Sequence, residues 1–274
     1  MNHESHRPMT SKAVWWNGQF HDAPPITFIA EEPLSIRVQG KPYAVVMRTP
    51  GDDIALAAGF GLTEGLVDHR SDIVELGCCE IDSTNVVTLT LTAERQQAIA
   101  AHLDRRGYIS QTSCGICGKS VVEELRQEIV PIKDGTSIEL QAALNCLIHL
   151  GDLQPLRRKT AATHGAALFD ARMDLLSVAE DVGRHNALDK AIGRLFYDNR
   201  LDQAKAAALS SRISYELVQK AARARIPVLL AVSRPTQLAV TLARELNITL
   251  AGFARPDGLF IYTHPYRLIE KKIG

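Results

Sequence analysis

The feature that most limits the fold is a regular exchange of two periodicities in the last quarter of the chain. Residues 206–211 (AAALSS), 228–233 (VLLAVS) and 248–253 (ITLAGF) are almost wholly apolar, and the segments between them, SYELVQKAARAR and QLAVTLARELN, are spaced as helices. A strand with no polar face has to be covered on both sides, and a helix between two such strands carries the chain back across the sheet. The pattern predicts a layered α/β core around a largely parallel sheet. Upstream, GAALFD and LLSVAE flank the turn ARMD as a hairpin and HNALDKAIGRLF follows as a helix, while LFIYTH at 259–264 reads as a closing strand.

The first part of the chain has a different texture. Residues 1–25 open polar and unpatterned and read as a flexible tail. Residues 26–108 read as a mixed α+β subdomain: three short strands broken by Pro33, Gly40 and Pro50, a helix starting at Asp52 or Asp53 and ending at Gly61 or Gly65, and a strand placing Val87, Leu89 and Leu91 on one face. A mobile loop over 109–120 then leads into the α/β core over 121–274.

Charge narrows the function classes. Lys+Arg number 31 and Asp+Glu 31, so no bulk charge attracts a polyanion, and nucleic acid is not an expected partner. The opening MNHESHRPMTSK has no apolar signal region and no apolar run approaches a membrane span, which predicts a cytoplasmic protein. Five cysteines in 274 residues are too few and too odd for a disulfide framework.

Two of those cysteines, Cys114 and Cys117, stand in SCGICGKS between glycines. Ser120 and Glu123 form a capping-box pair, which places the CxxC on the loop entering a helix that ends before Pro131. A helix N-terminus and Lys119 both favour thiolate, and Gly115 and Gly118 leave the sulfurs accessible, so one of them can attack a sulfur donor. Tetrahedral zinc wants four ligands and this chain offers one knuckle. A thioredoxin-like couple would follow the first strand of a βαβ unit, whereas here a helix and a linker precede it. Cys146, in LNCLIHL, reads as a buried inert thiol.

The alternating pattern gathers three loops at the carboxyl ends of strands, the edge where open α/β sheets bind ligands. They carry Ser210, Ser211 and Arg212; Ser233, Arg234, Pro235 and Thr236; and Arg255, Pro256, Asp257 and Gly258. Arginines and helix starts suit a phosphorylated ligand, against the plainer reading that Arg212 and Arg234 pair locally. Neither GxGxxG nor a Walker lysine loop is present. His164, Asp181 and His185 cluster around the hairpin and the helix after it, a candidate site beside the plainer reading in which Asp181 is an N-cap and the histidines are structural.

Six blocks in order, SCGICG, THGAAL, EDVGRHNALDK, SSRISYELVQKAA, VSRPTQLAV and GFARPDGLFIYTHPYR, resemble the FdhD family of formate dehydrogenase accessory sulfurtransferases from about residue 30 to the C-terminus. The resemblance implies a cytidine-deaminase-like α/β fold and a sulfurtransferase that takes sulfur from a cysteine desulfurase as a persulfide on Cys114. Cys117 would assist. The sulfur would pass to the bis-molybdopterin guanine dinucleotide molybdenum cofactor, bound as cargo, before insertion into formate dehydrogenase. It further implies cofactor contacts at Phe253, Ala254, Arg255, Pro256, Asp257 and Gly258, with Arg212 and Arg234 beside them, no structural metal, and a homodimer. Two rival readings stay open: a chaperone that only shields the cofactor, and a CxxC thiol oxidoreductase. Ala162 stands where some relatives carry a further cysteine.

Overall fold

The computed structural model describes residues 9–78, 85–100, 129–254 and 258–270. Its centre is a six-stranded sheet of β10 (His164–Phe169), β11 (Leu175–Asp181), β12 (Ala206–Leu209), β13 (Val228–Ala231), β14 (Thr249–Ala254) and β15 (Gly258–Thr263), in the order β11-β10-β12-β13-β14-β15. Both faces are buried, and the side chains alternate between two clusters. Ala166 and Leu168 of β10 join Ala207, Leu209 and Leu229 on one side, while Ala167 and Phe169 join Ala206, Ala208 and Leu230 on the other.

Among the described residues the strands, the hairpin and the three helices expected from residue 164 onward are present, but the sheet is mixed rather than largely parallel. Only β12–β13 and β13–β14 run parallel; β11–β10, β10–β12 and β14–β15 are antiparallel. A strand covered on both faces is apolar throughout whichever way its neighbours run, so its composition carries no direction.

One face of this sheet is covered by α5 (Arg184–Tyr197), α6 (Tyr215–Arg223) and α7 (Gln237–Glu245); α3 (Leu140–His149) packs on the other, and the short α4 (Pro155–Thr160) leads into β10. The smaller sheet, β6-β5-β8-β7, consists of β5 (Glu32–Val38), β6 (Lys41–Arg48), β7 (Ile73–Cys78) and β8 (Val86–Leu91). As the alternation predicts, Val87, Leu89 and Leu91 are buried. Pro33 lies inside β5 instead of breaking it. Pairing with β8 starts only at Ser35, so the missing N–H falls where the strand has one neighbour.

Between the two sheets runs α1 (Asp53–Thr63), packed along α5. It ends beyond Gly61, with Gly65 at φ +78° past the C-cap Glu64. Leu66 N–H donates to Gly61 O at 2.8 Å and Gly65 N–H to Leu62 O at 3.1 Å, a Schellman closure that needs the left-handed residue at 65. Helix α2 (Ala93–Ala98) is capped by Thr92, whose hydroxyl accepts from Arg95 N–H. The segment read as an unpatterned tail is paired from residue 9 onward. Strands β1 (Met9–Ser11) and β4 (Ile26–Phe28) form one ladder and β2 (Val14–Trp16) and β3 (Phe20–Asp22) a second beyond it, each too short to leave a periodic signal. A last short pair, β9 (Ile138–Glu139) with β16 (Leu268–Ile269), ties the end of the chain to α3.

Candidate functional site

The carboxyl ends of β12, β13 and β14 lie on one edge because those strands are parallel. Antiparallel β10 begins at that edge and β11 ends there, so His164, Glu180 and Asp181 arrive beside the three loops. His164 is directly opposite Asp181 in the ladder. The β10 and β12 corners are joined both ways: Gly165 N–H donates to Ser210 Oγ at 2.8 Å and Ser210 N–H to Gly165 O at 3.0 Å. A Cβ at 165 would come 2.5 Å from Gln154 Nε2, so any side chain there would require the buried Gln154 side chain to move. The loops after β12 and β13 are zipped together by a bridge between Ile213 and Pro235, with Thr236 N–H donating to Ile213 O at 3.0 Å.

Arg212 and Arg234 are exposed on these loops, and Arg234 leans toward the Phe260 ring at 5.9 Å. Among the described residues neither has a carboxylate within ion-pair distance, and the same holds for Arg157 and Arg184 at the adjoining corner. Among the described residues, then, local ion pairs do not account for these arginines. Phe253 and Gly258 flank the turn between β14 and β15, with Ala254 opposite Gly258 in the ladder. Arg255, Pro256 and Asp257, and the whole CxxC segment with Cys114, Cys117 and the helix expected after Ser120, lie outside the described residues.

The three polar residues of the hairpin and helix start divide. Asp181 is fully buried and committed to structure: its carboxylate accepts from Thr49 N–H at 3.0 Å, Gly183 N–H at 2.9 Å and Asn186 Nδ2 at 3.0 Å, and pairs with Lys190 Nζ at 2.7 Å. The N-cap position belongs to Gly183, so Asp181 is not the cap itself; it holds the turn before the helix and fastens it to the smaller subdomain. Glu180 is also spent, accepting from Leu156 N–H, Arg157 N–H and Thr163 Oγ1 at 2.7–2.8 Å.

The histidines are less committed. His185 Nε2 lies 3.3 Å from Ser214 Oγ and 3.8 Å from Glu216 Oε2. Burial, then the charges of Lys220 and Arg184, push its pKa down to about 4, so the ring is neutral at neutral pH. Although burial opposes it, Lys220 beneath is held charged by Asp189 at 2.8 Å and Glu64 at 3.0 Å, and it donates to Thr63 Oγ1 at 2.9 Å. His164 is likewise kept below the usual imidazole range, by burial and then by Arg157 and Arg184.

Outside this edge, burial pushes the Cys146 thiol up to about 12, the inert thiol expected of it. A cleft of about 440 Å³ lined by Asp53, Cys78, Arg194 and Tyr197 sits at the far end of α5. Along the helix axis that is about 20 Å from the edge. Among the described residues no group of three or more His, Cys, Asp or Glu could hold a metal ion, and no helix is long and apolar enough to cross a membrane.

This architecture is one already seen in a solved structure. The crystal structure of a putative formate dehydrogenase accessory protein from Desulfotalea psychrophila superposes with a TM-score of 0.75 over 96% of this chain and 100% of that one. At 22% identity the likeness speaks for the fold alone. Sequence goes further. Residues 29–269 match the FdhD/NarQ family, and the chain belongs to that family. A sulfur carrier protein FdhD from Mycolicibacterium paratuberculosis is 43% identical over 90% of this chain and 93% of its own, and one from Streptomyces coelicolor is 42% identical over 87% of each.

Proposed function

We propose that this protein is a sulfur carrier serving formate dehydrogenase: it accepts sulfur from a cysteine desulfurase as a persulfide on Cys114, assisted by Cys117, and passes it to a bis-molybdopterin guanine dinucleotide cofactor. The observation that carries the reading is the 43% identity, over nine-tenths of the chain, to a protein named for sulfur carriage. The edge supports it: four arginines with no carboxylate partner among the described residues suit a cargo bearing phosphates. Arg212, Arg234 and the turn Phe253, Ala254, Arg255, Pro256, Asp257 and Gly258 are the contacts for that cargo. The reading includes a deaminase-like layering of the core, a cytoplasmic location and a homodimer.

The uptake step is redox-neutral and needs no added oxidant. The Cys114 thiolate attacks the terminal sulfur of the donor's persulfide, the donor leaves as thiolate, and the new Cys114 persulfide carries the sulfur onward. Intact mass spectrometry after incubation with a cysteine desulfurase and cysteine tests the step. One added sulfur on the peptide containing Cys114, lost on reduction, is the expected result. No adduct on Cys114 or Cys117 with a competent donor would instead favour a chaperone that binds the cofactor without carrying sulfur.

A further inference from the structure

The corner where β10 begins and α5 begins holds two nitrogens that are closed to solvent and have no hydrogen-bond partner among the described residues, His164 Nδ1 and Arg184 Nε. An unanswered buried donor is costly, so it asks for an acceptor. Of the nearby carboxylates, Asp181 is consumed by Thr49, Gly183, Asn186 and Lys190, Glu180 by Leu156, Arg157 and Thr163, and Glu216, although it feels the Arg184 charge, does not come within ion-pair distance of it. Arg157 adds a second positive charge at this corner, and its Nη1 donates to the Thr163 carbonyl. Two guanidinium groups repel a cation. A neutral imidazole in the Nδ1–H tautomer and a guanidinium Nε–H both donate, which is the chemistry of an oxyanion receptor.

We infer that His164 and Arg184 form a second oxyanion contact of the carboxyl edge, taking a phosphate-type group of the cargo. The inference rests on the reading of this edge as the cargo site and extends it. β10 lies three strand steps from β14, about 14 Å at ~4.8 Å per step. A single small anion held at the β14 turn cannot reach this corner, whereas an extended nucleotide-bearing cargo can contact both.

The test follows the His164 ring signals of the full-length protein by NMR, assigned with His164→Gln. In cargo-free protein, inorganic phosphate shifts His164 saturably. Arg184→Gln weakens that response about tenfold and Arg184→Lys weakens it less. In protein isolated with its cofactor, His164 stands at the shifted position already and added phosphate no longer moves it. The other histidine signals report whether each variant is folded, and Arg184→Lys keeps the charge if Arg184→Gln is not. A His164 signal that phosphate never moves, or moves equally in the Arg184 variants, overturns the inference. So does a signal that phosphate moves alike in free and loaded protein, which marks a site for free phosphate only. These outcomes leave cofactor retention intact. A wild-type protein that retains no cofactor removes the reading of the edge, and this inference with it.

Discussion

Gly59 of α1 and Gly193 of α5 lie where the two helices cross, so close that neither tolerates a side chain. A Cβ on Gly59 would stand 1.9 Å from Asp189 O, and one on Gly193 would stand 1.8 Å from Ala55 O and 2.7 Å from Gly59 N. The obstacles are backbone atoms, which no rotamer change removes. This contact fixes the subdomain that carries α1 against the helix whose first turn presents Arg184 and His185.

Gly193→Ala should therefore force the helices apart. Overpacking against backbone puts the loss at about 3 kcal/mol, at the upper end of the usual range. The denaturant midpoint measures it, and a variant within about 0.5 kcal/mol of the parent would contradict this crossing.

His185 gives the fold a pH dependence whose sign is fixed. Its pKa is about 4 in the folded protein against an ordinary 6.5, so the unfolded chain binds the extra proton first. Above 6.5 both states are neutral and the group contributes no slope; as pH falls from there toward 4 the folded state loses stability, by up to about 3 kcal/mol. The neighbouring Glu216, held below the usual carboxylate range, stays charged over this window and softens the loss. Comparing denaturation of the parent and His185→Gln from pH 7.5 to 4.5 isolates the effect. The variant should have the flatter profile, and parallel profiles would show that the ring is not buried neutral.

What the sequence makes legible follows from how local each cause is. Ala206–Leu209 and Val228–Ala231 announce themselves because four buried residues in a row have one structural use, and the capping residues Thr92 and Thr236 mark their helices from within three residues. Strand direction is not legible, because β10 and β12 are equally apolar although they run opposite ways. Nor are the buried charges. Lys190 and Lys220 look like solvated helix positions, and their roles depend on Thr49 and Thr63, 141 and 157 residues away. The edge was partly legible: alternation brings Ser210, Arg212 and Arg234 together, and the hairpin brings His164 opposite Asp181. That Asp181 is structural while His164 Nδ1 is unanswered depends on contacts with Thr49 and Lys190 that no local pattern encodes.

Sulfur uptake and cargo binding should come apart in two variants. Cys114→Ala removes the proposed acceptor and leaves every arginine of the edge unsubstituted, so it should retain cofactor at the parent level while formate dehydrogenase activation falls to background. Arg212→Ala with Arg234→Ala leaves the thiols in place and removes the two charge-assisted contacts proposed for the cargo. At ~1.5 kcal/mol each, the lower bound for hydrogen bonds to charged groups, the pair should cost at least about a hundredfold in cofactor affinity. Persulfide formation from the desulfurase should continue unchanged. Metal and nucleotide content of the purified proteins, read beside the mass of the Cys114 peptide, gives both quantities from one preparation. Loss of persulfide in the arginine pair would mean the edge serves the donor instead. Full activation by Cys114→Ala would remove sulfur carriage on that residue and leave cofactor shielding as the function.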